Sequence, residues 1–438
     1  MKITKIFTIL LLLYFASFTH QQIIDILLGP ILNLLNSILG GLLNIDDKRK
    51  LAEILLKIER EYSVKLSPEE IKEKVDHFLQ LKTEIDGKWG FEMTVYFFLP
   101  KELQIKLGGG NGWLSPGEDP NGEFHIGEVT GTPKIGPPLE GGPINGEQEE
   151  PDEESPLEEE PVETNKTYNE EHPRDKRASC TYKNVFSSRV KWSECAPIIN
   201  RITDQGQCGS CWAVSTSGAF TDRLCIERAK KGWKTPNDAS YIYSALDALS
   251  CSGGGNCVSG RPATVWDWMY RWGICTGTSY NTYEGCKPYP FSSGGRTYTP
   301  DCYESCDSNW NTRYFDDKRK VKSWRYVSGN SININDIMRE LETNGPVIGI
   351  FRIYTDLFGF IGDGVYIKSR SAQERENHVV EIIGYGTQVC NGYETDYWLI
   401  KNSWNPSRFG DNGFFKMRRG WNECYIESNQ FSYGIPYV

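Results

Sequence analysis

Histidine is scarce in this chain: five in 438 residues, at positions 20, 77, 125, 172 and 378. Four fall in the first 177 residues, so imidazole chemistry in the remainder rests on His378 alone. Cysteine is absent before residue 180, although 13 are present in all. Any disulfide framework is therefore confined to the C-terminal part. A concentrated basic face is also missing: Lys+Arg number 48 against 58 Asp+Glu, a formal net charge of −10. That balance excludes the electrostatic footprint of a nucleic-acid binder. The acidity is unevenly placed, with 19 Lys+Arg against 32 Asp+Glu in residues 1–177 and 29 against 26 thereafter.

Long apolar runs are few. MKITKIFTILLLLYFASFTHQQ has two lysines before an apolar stretch and small or polar residues after it. This is the form of a secretory signal peptide over residues 1–20, too short for a comfortable membrane anchor. IIDILLGPILNLLNSILGGLL follows, apolar at helical spacing, and reads as amphipathic helix that can touch a membrane surface but not cross it. Residues 48–86 are helical in pattern, with Ser67-Pro68 at a helix start. KWGFEMTVYFFL, at 88–99, has β character. These segments make residues 21–106 a helical N-terminal or pro region. Residues 107–177 lose periodicity, first Gly/Pro-rich and then acidic, and read as a disordered linker. This linker carries a glycosylation sequon at Asn165 and ends in a basic cluster, Arg174, Lys176 and Arg177, that offers a processing site.

Residues 178–438 are the folded domain. Helical periodicity runs from Cys211 to about Lys231, ended by Gly232, and again through DASYIYSALDALS and PATVWDWMYRWG. After about residue 345 the pattern turns to strands, in GPVIGIFRI, HVVEIIGYG, DYWLIKNSW and GFFKMRR. Helices first and strands later predict an α+β fold of two lobes with a site between them.

DQGQCGSCWAV, residues 204–214, holds a C-x-x-C pair that serves three chemistries. A zinc site needs two further ligands, and Cys302 and Cys306 are available. A redox dithiol calls for a βαβ unit that is missing here. A disulfide beside a nucleophilic thiolate fits best a secreted chain dense in cysteine. An odd total of 13 cysteines leaves one thiol over. Cys211 opens a helix, where free N–H groups favour a thiolate, and its base can only be His378. Asn402 can accept from the imidazole, Trp404 can cover that bond, and Gln205 can donate to an oxyanion.

QGQCGSCWA, NHVVEIIGYG and NSWN together resemble the signature blocks of papain-like cysteine proteases. His378 and Asn402 lie 167 and 191 residues beyond Cys211, past the family's usual span of about 130–150. That extra length, with EGCKPYPF and SWNPSRFGDNGFFKMRRGWNECYIES, is similar to the cathepsin B-like branch. The likeness covers about residues 185–438. It implies a papain-like fold with a helical left lobe and a β-barrel-like right lobe. It also implies Cys211 as nucleophile, His378 as base and acid, Asn402 as orienter and Gln205 in the oxyanion hole. Substrate contacts are implied for Gly260, Ser259, Trp404, Val379 and Asn429. The disulfides it implies are Cys195–Cys225, Cys208–Cys257, Cys251–Cys302 and Cys286–Cys306, which leaves Cys180, Cys275, Cys390 and Cys424 unassigned.

Other implications concern specificity. The branch's occluding loop corresponds to PFSSGGRTYTPDC, short and without histidine, so C-terminal dipeptide removal is expected to be lost and endopeptidase activity kept. Asn429 in place of an acidic S2 residue favours apolar P2 side chains. Phe409 replaces a second tryptophan near the primed side. Protein or peptide substrates are the expected partners, with the N-terminal region as a possible inhibitor; no cofactor, metal, nucleic acid or transmembrane anchor is implied. The rival reading is a non-catalytic secreted relative that acts as a matrix or binding protein. Residence would be extracellular or lysosomal.

Overall fold

A computed structural model describes residues 20–110, 180–292 and 297–438. The expected signal peptide, the expected acidic linker with Asn165 and Arg174–Arg177, and the middle of the 290–302 loop lie outside the described residues.

Three helices come first among the described residues: α1 (His20–Leu39), α2 (Ile45–Tyr62) and α3 (Pro68–Ile85). The start of α3 is set by a capping box, in which the Glu70 N–H donates to Ser67 Oγ and the Ser67 N–H to Glu70 Oε2, with Pro68 at the first helical position. Their apolar faces, including Leu35, Leu51, Val75, Phe78 and Leu81, are buried. No described helix is long and apolar enough to cross a membrane.

The segment expected to be β at 88–99 is different. Only β1 (Gly90–Phe91) is strand, and α4 (Val95–Phe98) follows, capped by Thr94 Oγ1, then α5 (Lys101–Lys106). Its alternation of aromatics serves packing against a neighbour: β1 pairs antiparallel with β5 (Phe360–Ile361) of the C-terminal part. Phe91, Phe97, Trp89 and Phe360 interlock there, with Phe78 stacked 4.9 Å from Phe91.

Beyond the linker, β2 (Cys180–Ser187) leads into the left lobe, built on α6 (Cys211–Ala229), α7 (Ala245–Cys251) and α8 (Pro262–Arg271). Trp212, Phe220, Val265, Trp266 and Met269 form its core. The right lobe is an eight-stranded sheet in the order β3-β10-β4-β7-β8-β9-β6, with β2 paired to β7. Its long members are β3 (Val321–Ser328), β4 (Val347–Tyr354), β7 (Glu374–Cys390), β8 (Tyr393–Lys401), β9 (Phe414–Arg418) and β10 (Gln430–Pro436), while β6 is Val365–Tyr366. The helix α9 (Ile334–Asn344) lies between β3 and β4. This is the two-lobe α+β fold expected from the helix-then-strand order.

Five disulfides brace the described domain: Cys195–Cys225, Cys208–Cys257, Cys251–Cys302, Cys286–Cys306 and Cys180–Cys390. The last joins the first residue of β2 to the end of β7, where the two are register partners. Three buried thiols stay free, Cys211, Cys275 and Cys424, where parity alone predicted one. Cys275 and Cys424 are walled into separate cores, so neither reaches the other.

Candidate active site

The helix α6 begins at Cys211, whose side chain is fully buried. Ser210, just before it, is held by the Tyr289 hydroxyl at 2.6 Å, and that hydroxyl also donates to the Gln205 carbonyl at 2.9 Å. The loop that carries both Gln205 and Cys211 is thus pinned from beneath. Opposite stands β7, with His378 paired to Phe351 of β4. The next residue, Val379, donates its N–H to Cys211 Sγ at 3.4 Å.

His378 Nε2 lies 2.7 Å from Asn402 Oδ1, an oxygen that also accepts from the Ser403 N–H at 2.8 Å. As an acceptor-only group held in place, that oxygen selects the tautomer with hydrogen on Nε2 and leaves Nδ1 with its lone pair. His378 Nδ1 has no partner among the described residues and is free to take a proton. Trp404 stacks on the imidazole at 5.0 Å between ring centroids and is itself buried. Gln205 Oε1 accepts from Ser403 Oγ at 2.5 Å, which turns its amide nitrogen into the cleft. Gly260 packs on the Trp212 ring so closely that an added Cβ would come within 2.2 Å of it. Ser259 is half-buried, and its backbone is tied to Asn256.

The cleft is occupied by the chain itself. Leu107 to Gly110, the first residues of the stretch read as linker, cross the site and are buried. Residues 107–110, expected to open the linker, instead pack against the domain. Gly109 and Gly110 donate their N–H groups to the Asn377 carbonyl at 3.0 Å, and Gly260 donates to the Gly109 carbonyl at 2.9 Å. Gln205 Nε2 stands 3.3 Å from the carbonyls of Leu107 and Gly108, and the Trp404 indole donates to Leu107 at 2.9 Å. Glycine is required: a Cβ at Gly109, where φ is +118°, would meet the Gly209 carbonyl oxygen at 2.2 Å, and one at Gly108 the Asn377 carbonyl at 2.8 Å. Three consecutive glycines after a helical region were the visible signal for this close approach.

Electrostatics follow from that cover. Burial pushes the Cys211 thiol up to about 12, outweighing the N–H groups of Val379 and Trp212 that favour the thiolate. Burial lowers His378 to about 4, against the Asn402 hydrogen bond. The helix N-terminus expected to create a thiolate is overridden while the glycines fill the cleft, and both groups are neutral.

Asn429, expected at the floor of a specificity pocket, precedes β10; its backbone bonds to Tyr425 and Gly329, and its buried amide has no partner among the described residues. Among the described residues it makes no hydrogen bond to Cys211 or His378. Phe409 packs edge-on against Trp404 at 4.7 Å. Cys275, Cys286 and Asp317 present ligand atoms within 4.8 Å of one another, but the bond to Cys306 removes the Cys286 thiolate that a metal would need.

This cleft, with a buried thiol at a helix start facing an imidazole–amide pair, can support acyl transfer to sulfur. Residues 186–434 match the family model described as "Papain family cysteine protease". Cathepsin B-like cysteine proteinase 5 of Caenorhabditis elegans is 38% identical over 272 residues, 57% of this chain and 74% of that protein. The cathepsin B-like cysteine proteinase of Schistosoma japonicum is 36% identical over 259 residues, 56% of this chain and 70% of that one. Among solved structures, proCathepsin B S9 from Trypanosoma congolense aligns with a TM-score of 0.48 at 31% identity, covering 59% of this chain and 79% of that chain. The chain belongs to the papain family of cysteine proteases, in its cathepsin B-like branch.

Proposed function

We propose that this chain is a cysteine endopeptidase made as a latent precursor, with Cys211 as nucleophile and His378 as its base. Asn402 holds the imidazole so that Nδ1 faces the thiol and Nε2 keeps its hydrogen. His378 takes the Cys211 proton as sulfur attacks the peptide carbonyl, and then returns it to the leaving amine. Gln205 Nε2 and the Cys211 N–H receive the developing oxyanion. Water, activated by the same imidazole, releases the acyl group from sulfur.

The observation that carries this reading is the seating of Leu107–Gly110 as a peptide in the cleft, with main-chain bonds to Asn377 and Gly260 and carbonyls at Gln205. A cleft that holds a peptide backbone by its amides is built to hold substrate. Residues 21–110 act as a pro region and the segment to 177 as a tether cut near Arg177, after a signal peptide directs secretion or lysosomal delivery. Gly260, Ser259, Val379 and Trp404 contact substrate, and Asn429 favours apolar P2. The 290–302 loop, without histidine, leaves C-terminal carboxylates unbound.

The test is hydrolysis of a fluorogenic peptide with apolar P2 by the processed domain at about pH 5.5 under mild reductant, beside Cys211→Ala. Activity lost in the variant supports the reading. Silence of a folded, disulfide-bonded parent across several peptides would point instead to a non-catalytic binding protein.

A further inference from the structure

Behind the cleft lies a buried cluster of charge that the acyl-transfer chemistry does not use. Lys401 Nζ is 2.7 Å from Asp222 Oδ2 and 3.3 Å from Glu381 Oε2, and all three residues are buried. They come from three elements. Asp222 is on α6, which opens with Cys211. Glu381 is on β7, three residues after His378. Lys401 ends β8, immediately before Asn402, and is the register partner of Glu381. Cys211 and His378 therefore each share an element with one arm of this junction, and Asn402 directly follows the third.

Room for the junction is made by an omission. Gly218 stands inside α6 one turn before Asp222, a position where glycine costs about 1 kcal/mol of helix propensity. A Cβ there would come within 3.0 Å of Glu381 Oε2 and 4.0 Å of Lys401 Nζ. One ammonium faces two carboxylates. Asp222 Oδ1 and Glu381 Oε1 have no partner among the described residues, so a proton held between the two acids satisfies both and neutralises the excess charge. Arg201, Tyr243 and Tyr289 line the small cavity beside Asp222 and Lys401, together with Thr221 and Ser217. Burial pushes the Glu381 carboxyl well up, with the Asp222 charge adding to it and Lys401 opposing.

We propose that Lys401, Asp222 and Glu381 form a buried, proton-sharing junction that sets the relative placement of Cys211, His378 and Asn402, with Lys401 as its positioning residue. The inference rests on the endopeptidase reading. An ionic tie between helix and sheet resists sliding of β7 and β8 against α6, a motion that would take the imidazole out of line with sulfur.

The chain is folded in full length, processed by limited proteolysis and compared as parent, Lys401→Met, Lys401→Arg and Glu381→Gln. Three readouts are taken: kcat and KM, the pH profile of Cys211 alkylation by iodoacetamide, and the imidazole resonances of His378. These resonances are assigned without ambiguity because no other histidine follows residue 177. Lys401→Met is expected to lower kcat and alkylation about tenfold or more, with KM changed by less than about twofold and the Nε2–H resonance weakened. Lys401→Arg recovers part of both. Glu381→Gln supplies an amide hydrogen in place of the shared proton, so it keeps activity at acidic pH and extends the alkaline limb of alkylation by about one pH unit.

A Lys401→Met protein that melts lower but keeps kcat, alkylation rate and His378 resonances makes the junction merely structural and overturns the proposal. So does a Glu381→Gln limb that coincides with the parent's. If Lys401→Met does not fold, Lys401→Arg and Glu381→Gln decide the matter. Hydrolysis that survives Cys211→Ala would sink the endopeptidase reading, and the alkylation profile would still report on the junction.

Discussion

The N-terminal region and the peptidase domain are held by different kinds of bond. Residues 180–438 carry all five disulfides, while residues 20–110 contain no cysteine. The N-terminal region is attached by aromatic packing, by one short two-stranded ribbon and by isolated polar contacts. Among these are Arg408 with Glu61 at 2.7 Å, His77 with Thr355 at 2.8 Å and Arg375 with Gln104 at 2.9 Å. Crosslinks survive acid and chain cleavage; noncovalent ties with titratable members do not. The difference suits the latent precursor proposed above, in which the N-terminal region leaves and the domain persists.

Breaking the catalytic side of this comparison has the largest effect. His378→Ala in the processed domain should reduce peptide hydrolysis about a thousandfold or more, read from kcat/KM, with the melting temperature little changed. Activity within tenfold of the parent would remove His378 from the mechanism.

Next comes the cover. Gly109→Val places a branched side chain where φ is +118° and the Gly209 carbonyl oxygen is 2.2 Å from a Cβ. Latency of the full chain should weaken by about tenfold or more, seen as faster reaction of Cys211 with a thiol reagent before processing, since such strain costs of order 1–3 kcal/mol. Unchanged latency would mean that the glycines do not control access.

Acid should loosen the same cover. His378 is lowered to about 4 by burial and His77 is lowered by burial with Arg375 and Lys74 nearby. With the cover in place both imidazoles bind protons less readily than when released. The covered state keeps its full stability above about pH 6.5 and loses it progressively as pH falls toward 4. Hydrogen exchange at Leu107–Gly110 in a Cys211→Ala chain should rise across that window, and His77→Phe should flatten part of the rise. Exchange that is independent of pH would refute the assignment.

The smallest expected effect on activity is at the edge of the sheet. Removing Cys180–Cys390 with paired serines should lower the stability of the processed domain by about 2–4 kcal/mol, measured by denaturant melts, while kcat/KM stays within about twofold. A large loss of activity would connect that edge to the cleft.

Much of the domain was legible. Apolar spacing marked α6 and α8, and apolar runs marked β4, β7, β8 and β9; α6, β4 and the middle of β7 are buried on all sides, so continuous apolarity rather than alternation was their signal. Aromatic residues at 88–99 misled, since Trp89 packs on Phe360 and Tyr366 and Phe91 on Gly359, and their spacing obeys that neighbour rather than a local period. Parity of cysteines allowed one free thiol, yet Cys275 and Cys424 stayed apart, because pairing requires sulfurs to meet in space.

The residue types by themselves determined which groups are available: one histidine after residue 177, a thiol at a helix start, an asparagine and a glutamine placed to serve them. Local chemistry and spacing suffice for that. Only the tertiary structure decided that Leu107–Gly110 fill the cleft, that burial there neutralises Cys211 and His378, and that Asp222, Glu381 and Lys401 meet behind them. Protonation and close approach depend on which surfaces exclude water together, and distant segments settle that only when packed.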